Sequence, residues 1–217
     1  DKTETKYKCI NTIRELENKK IVIINENKDD INYDVLYCCP ICHMNYQHSN
    51  WDKILCCIDI LFDFVNEKFF NTLRTKKQLG YIVKCQKITL GNKQYPFKMF
   101  GFLVQSPNTP CDEIINHIND FILSCYEDIK LLTEKTIFEN KNGKIKTLDS
   151  DFNTNTNEIE FFSNIIMKQI KNFNMKEILI NTYKNLTKED ILTFYEKYIL
   201  STVKNNLAYI ISIKPKF

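Results

Sequence analysis

Alanine is almost missing from these 217 residues: Ala208 stands alone against abundant Asn, Lys and Ile. That skew points to an AT-biased genome, such as a protist's, and says nothing about fold. Glycine is also scarce. Gly80, Gly91, Gly101 and Gly143 are too widely spaced to form a phosphate-cradling loop. No apolar run approaches the ~18 residues needed to cross a bilayer, so no membrane partner is expected. Lys plus Arg exceed Asp plus Glu by only 30 to 27. With no concentrated basic stripe, nucleic acid is not expected as a partner either. The three His (43, 48 and 117) form no H-x-x-E-H or H-E-x-x-H pair, so no catalytic zinc site is expected in this segment. No G-x-S-x-G elbow or recognisable nucleophile triad occurs. The polar opening Asp1-Lys2-Thr3-Glu4 has no signal-peptide pattern, and the start on Asp rather than Met fits a piece of a longer polypeptide or a processed chain alike.

Hydrophobic residues make up 43% and charged residues 26%, ordinary values for a globular chain. The nine Cys are odd in number and scattered. Cys56, Cys57, Cys111 and Cys125 fall among apolar residues of predicted helices, where a free Cys acts as a small hydrophobe. A reducing compartment is expected, with the cytoplasm favoured. Cys39, Cys42 and His43 match a C-x-x-C-H pattern, but no second C-x-x-C or C-x-x-H exists to complete a zinc site. They read as strand and loop residues, and His48 and His117 as polar surface positions.

Residues 1–19 read as a lead-in, and residues 20–217 as one domain. Ile21 to Ile24 reads as a buried strand forming a hairpin with the β-prone stretch from Tyr33 to Met44. From Asn50 the period becomes helical, with Ile54, Cys57, Ile58, Leu61, Val65 and Phe69 on one face. A second short helix is expected from Phe70 to Gln78, ended by Gly80 as its left-handed residue. A strand starts at Tyr81 and pairs with Phe97 to Gln105 across a turn at Gly91-Asn92. Thr109-Pro110 predicts a helix start, with Thr109 as the capping hydroxyl. Further helices are expected from about 134, 157, 175 and 188. The last opens on Thr187 with Asp190 returning a hydrogen bond. The polar tract 149–157 reads as a loop, and Leu207 to Ile213 as a closing strand. Strands come in pairs and helices in runs, which defines an α+β fold: an antiparallel sheet with helices on one face.

The segment Phe70-Asn71-Thr72-Leu73-Arg74-Thr75-Lys76-Lys77-Gln78-Leu79-Gly80-Tyr81-Ile82-Val83 carries the chemistry. It places a guanidinium on a short helix and a phenol seven residues later, across a glycine turn. Arg offers a rigid fork of donors and Tyr one directed O–H, both suited to peptide carbonyls. Spacing alone would equally allow a surface ion-pair Arg and a Tyr packed on a strand.

The residues 71–83 resemble the final-domain motif of the insulysin/pitrilysin zinc peptidases. The likeness extends to Phe102-Leu103-Val104-Gln105-Ser106 and to Leu186-Thr187-Lys188-Glu189-Asp190-Ile191 with Phe194-Tyr195. It departs at Lys77, where the family often has Glu, and at Phe161-Phe162, where relatives commonly carry Trp. The resemblance implies a mitochondrial-processing-peptidase-like metallohydrolase fold and a C-terminal (fourth) domain of a multi-domain endopeptidase. It further implies zinc held by H-x-x-E-H in another domain of the same polypeptide, and a peptide substrate contacted by Arg74 and Tyr81. Phe70 would line a substrate side-chain pocket. The segment alone would be inactive. The alternatives are a non-catalytic peptide-binding or structural paralogue, and a Cys/His metal-binding module.

Overall fold

The computed structural model describes residues 19–46, 50–91, 96–150, 154–167, 170 and 173–216. The expected lead-in therefore falls almost wholly outside the described residues, as do His48 and the Asn92 half of the Gly91 turn.

Five strands form one sheet in the order β1-β5-β2-β4-β3. They are β1 (Lys20–Ile24), β2 (Tyr33–His43), β3 (Ile82–Leu90), β4 (Phe97–Ser106) and β5 (Tyr209–Lys214). The β3–β4 hairpin is present as expected, with Ile82 opposite Gln105 and Leu90 opposite Phe97. The expected β1–β2 hairpin is not. β5 lies between them, antiparallel to β2 and parallel to β1, so the sheet is mixed. The apolar run of Ile21 to Ile24 reflects an edge strand rather than a buried one: all five β1 residues are exposed. Adjacent apolar strands in sequence look like a hairpin unless the last strand returns to claim the place between them.

Helices cover one face. α1 (Trp51–Phe69) continues without a break as a π-helical segment, Phe70–Lys76. The others are α2 (Cys111–Lys130), α3 (Glu134–Asp149), α4 (Asn155–Met167), α5 (Met175–Asn185) and α6 (Lys188–Phe194). A second π-helical stretch (Tyr195–Leu200) continues α6 and leads into α7 (Ser201–Lys204). The expected loop at 149–157 is shorter than the polar composition suggests, because α3 runs through Asp149 and α4 begins at Asn155.

Helix starts obey local chemistry. Thr187 accepts from the Asp190 N–H, and the Asp190 carboxylate accepts from the Thr187 N–H, a complete capping box for α6. Thr133 caps α3 by accepting from Thr136 N–H. At α2 the boundary lies one residue later than expected. Pro110, in extended conformation, is the N-cap, and Thr109 instead donates its N–H to the buried Ser106 hydroxyl.

The core is a slab between these helices and the inner sheet face. Phe102 of β4 meets Phe69 of α1 at 5.1 Å and Phe121 of α2 at 6.1 Å between ring centroids, both edge-on. Phe69 also meets Phe121 at 5.0 Å. Each such pair contributes ~0.5–1.5 kcal/mol beyond its burial. Tyr195 is fully buried, and its hydroxyl donates to the Ile122 carbonyl at 2.9 Å. The triangle of Phe rings pins the end of α1 to the sheet and so fixes where the π-helical segment begins. The outer sheet face is apolar too, with a shallow cavity of about 180 Å³ among Ile21, Leu36, Cys38, Met99, Tyr209 and Ile211.

Candidate functional site

The end of α1 and the start of β3 build a groove. Phe69 is fully buried, so the next residue along the helix, Phe70, turns outward and is 37% exposed. The helix then widens to i→i+5 hydrogen bonding, closing with Lys77 N–H on the Thr72 carbonyl at 3.1 Å. Such π segments recur at functional sites because they re-aim side chains within a helix. Leu73 points into the core at 0% exposure, which leaves Arg74 on the groove side.

The turn to β3 differs from the expected one. Gln78, not Gly80, takes the left-handed conformation, at φ 53°. Leu79 N–H then closes on the Leu73 carbonyl, and Leu79 itself is buried. Gly80 is needed for a different reason. A Cβ there would stand 1.9 Å from the Gln105 carbonyl oxygen, so glycine alone lets the chain press against the end of β4. That close approach launches Tyr81 outward, where it is 76% exposed.

Arg74, Tyr81 and Phe70 come together. The guanidinium carbon lies 5.0 Å from the Phe70 ring centroid and 4.9 Å from that of Tyr81, so the cation packs on both rings. All three border an open groove of about 520 Å³, together with Asn66, Glu67, Ile82, Val83 and Lys84. The two donors thus share one cleft, and the phenol is not packed inside. Asn66 and Glu67 were not picked out by the sequence patterns, although both lie on the Phe70 face of the helix by i, i+4 and i, i+3 spacing. Asn66 accepts the Cys85 backbone N–H at 2.7 Å, tying α1 to β3 across the groove.

Lys77 does not face this groove's donors. Its Nζ lies 2.9 Å from Nδ1 of His117 on α2. His117 is accordingly half-buried and engaged, with Glu113 3.7 Å from its other ring nitrogen, rather than a free surface histidine. Phe161 and Phe162 make an edge-on pair at 5.4 Å, consistent with packing.

The Cys/His motif is dispersed by the sheet. Cys39 points into the core and Cys38 into the outer-face cavity, while His43 sits exposed at the strand end, 4.8 Å from Phe97. Burial pushes the Cys38 thiol up to about 11 and raises Cys39 as well, which disfavours the thiolates a metal would need. Cys42 is raised by burial, partly offset by Lys197 and Lys98. Among the described residues no group of three or more His, Cys, Asp or Glu could hold a metal ion, and the eight described cysteines are free. The donor set among the described residues does not fit a catalytic zinc.

The mixed five-stranded sheet with helices on one face, and a groove between a helix end and an edge strand, define an α+β domain. Pitrilysin superimposes with a TM-score of 0.66 over 90% of this chain and 19% of its own, at 17% identity. A protein described as an M16 inactive domain from Pseudomonas fluorescens gives 0.61 over 91% and 44%, at 12% identity. Residues 60–163 match the family model described as PQQ synthase PqqF-like, C-terminal lobe domain 4. Insulin-degrading enzyme of Bos taurus is 28% identical over 143 residues, covering 65% of this chain and 13% of that protein. The nardilysin-like protein of Arabidopsis thaliana is 27% identical over 146 residues, with the same coverage. Over these residues the chain is similar to the C-terminal domain of M16 insulinase/pitrilysin peptidases. It spans about an eighth of the length of these curated relatives. Among the described residues no helix is long and apolar enough to cross a membrane.

Proposed function

We propose that residues 20–217 form the substrate-gripping domain of an insulinase-like zinc endopeptidase, in which Arg74 and Tyr81 hold the peptide beside a metal centre supplied by another part of the polypeptide. The observation that carries this reading is the shared groove. An exposed Tyr hydroxyl and a guanidinium stacked on two rings are preorganised donors with no acidic partner among their ring contacts. Arg74 orients the peptide main chain by its planar fork, and the Tyr81 O–H donates to the carbonyl oxygen as it gains charge. The ring of Phe70 has two duties: it supports the Arg74 guanidinium and offers apolar surface to a substrate side chain. Zinc, when bound elsewhere in the whole protein, supplies the activated water; among the described residues no group of three or more His, Cys, Asp or Glu could hold it.

The apolar outer sheet face supports contact with neighbouring domains of the same polypeptide, since an exposed face of that kind is seldom left uncovered. The full-length protein is expected to cut a quenched fluorescent peptide in a chelator-sensitive way. The segment alone is expected to show neither activity nor stoichiometric zinc by metal analysis. A full-length protein with an intact fold and no turnover would favour the non-catalytic paralogue instead.

A further inference from the structure

The turn between the π-helical segment and β3 carries a strained residue. Gln78 has φ 53°, a left-handed value that a residue with a Cβ keeps only where its surroundings hold it. Leu79 holds the turn from inside, buried and with its N–H on the Leu73 carbonyl at 3.0 Å. Lys77 holds it from outside. Its N–H closes the π-helical segment on the Thr72 carbonyl, and its Nζ reaches Nδ1 of His117 on α2 at 2.9 Å. Beyond this turn come Gly80, pressed on β4, and the exposed Tyr81.

An ammonium can only donate, so Nδ1 accepts. The proton of the neutral ring then sits on Nε2, which faces Glu113 at 3.7 Å. Imidazole is the side chain that changes charge between about pH 5 and 8. Once Nδ1 takes a proton it can no longer accept, and two cations stand face to face. Glu113 and Asp120 flank His117 on its own helix, about one turn to either side. From the elements packed against α2, Lys68 of α1 is taken by Asp128 and Lys20 of β1 by Asp112. Glu196 of the second π-helical stretch accepts from the Tyr126 hydroxyl. Asp34 of β2 and Lys214 of β5 lie about Cys111, at the start of α2. Lys77 is the cation that meets the ring. It is also a place where the sequence departs from the relatives it resembles, which often carry Glu there.

We infer that Lys77 and His117 form a pH-sensitive latch on the turn that positions Tyr81, closed when His117 is neutral and open when it is protonated. The latch goes beyond the proposed function and needs no bound peptide.

The test is NMR on this chain from about pH 5 to about pH 8, following the His117 ring signal and the exchange protection of the Lys77 and Leu79 amides. As His117 gains its proton, that protection is expected to fall about fivefold, with the same midpoint as the ring signal, while the amides of β4 stay unchanged. His117→Asn puts a non-titrating oxygen near the place of Nδ1 and is expected to keep the turn protected throughout. Lys77→Glu is expected to invert the response, because a carboxylate pairs best with the imidazolium: protection rises about fivefold as the pH falls. Wild-type protection that does not follow the ring signal overturns the inference. So does Lys77→Glu if its response keeps the wild-type sign, or if its protection is lowered equally at every pH, as a merely structural Lys77 would require. Amides of β4 that lose protection in step with the turn would mean acid unfolding of the whole domain, which overturns it as well.

Discussion

Under the proposed function, Tyr81→Phe in the full-length protein is expected to lower kcat about 100-fold, or ~3 kcal/mol, with KM changed little. The substitution removes one oxygen and leaves the ring. The ring is what packs against the Arg74 guanidinium at 4.9 Å, so the groove wall survives. What is lost is the single O–H aimed outward from a side chain 76% exposed. A hydrogen bond made equally to substrate and transition state would raise KM; one that strengthens as the carbonyl oxygen gains charge lowers kcat. Arg74→Lys separates a second contribution. It keeps the charge but loses the planar fork and the stacking on Phe70 and Tyr81, so the expected effect falls mainly on KM. Steady-state kinetics on one peptide substrate would measure both. Wild-type turnover by Tyr81→Phe would remove Tyr81 from the chemistry.

Gly80→Ala is expected to act on fold and activity together. The added methyl meets the Gln105 carbonyl oxygen at 1.9 Å, its carbon at 2.8 Å and the Ser106 Cα at 3.1 Å, all backbone atoms that cannot swing aside. Either the start of β3 lifts from β4 or the end of β4 moves, and Ser106 has no spare room at 0% exposure. A loss of about 3 kcal/mol is expected, seen as a lower urea midpoint with unchanged slope. Because Tyr81 is the very next residue, the surviving folded protein should also turn over more slowly. A midpoint equal to wild type would show that the close approach of Gly80 to Gln105 does not exist in solution.

Much of the groove's geometry was legible in the sequence because its causes are local. The helical stripe ending at Phe69, the Arg–Gly–Tyr spacing and the strand pair across Gly91 each depend on a few neighbouring residues. The capping box at Thr187 and Asp190 is local in the same sense. The features that escaped depend on contacts distant along the chain. Gly80 looked like a helix terminator, yet Gln78 supplies the left-handed residue and Gly80 answers to a carbonyl on β4. The place of β1 was set by β5, nearly the whole chain length away, and no pattern within Ile21 to Ile24 could announce that. Asn66 was missed because a polar residue on an amphipathic helix looks solvated, whereas it accepts a backbone N–H from an edge strand. His117 looked like surface for the same reason, until Lys77 arrived from the turn after the π-helical segment.

The role proposed for Arg74 and Tyr81 is tested most directly by the structure of the full-length protein with an uncleaved peptide trapped beside the metal centre proposed for another domain. The Tyr81 hydroxyl and the Arg74 guanidinium are expected within hydrogen-bonding distance of the peptide backbone flanking the target bond. A peptide bound productively with both side chains out of reach would contradict that role.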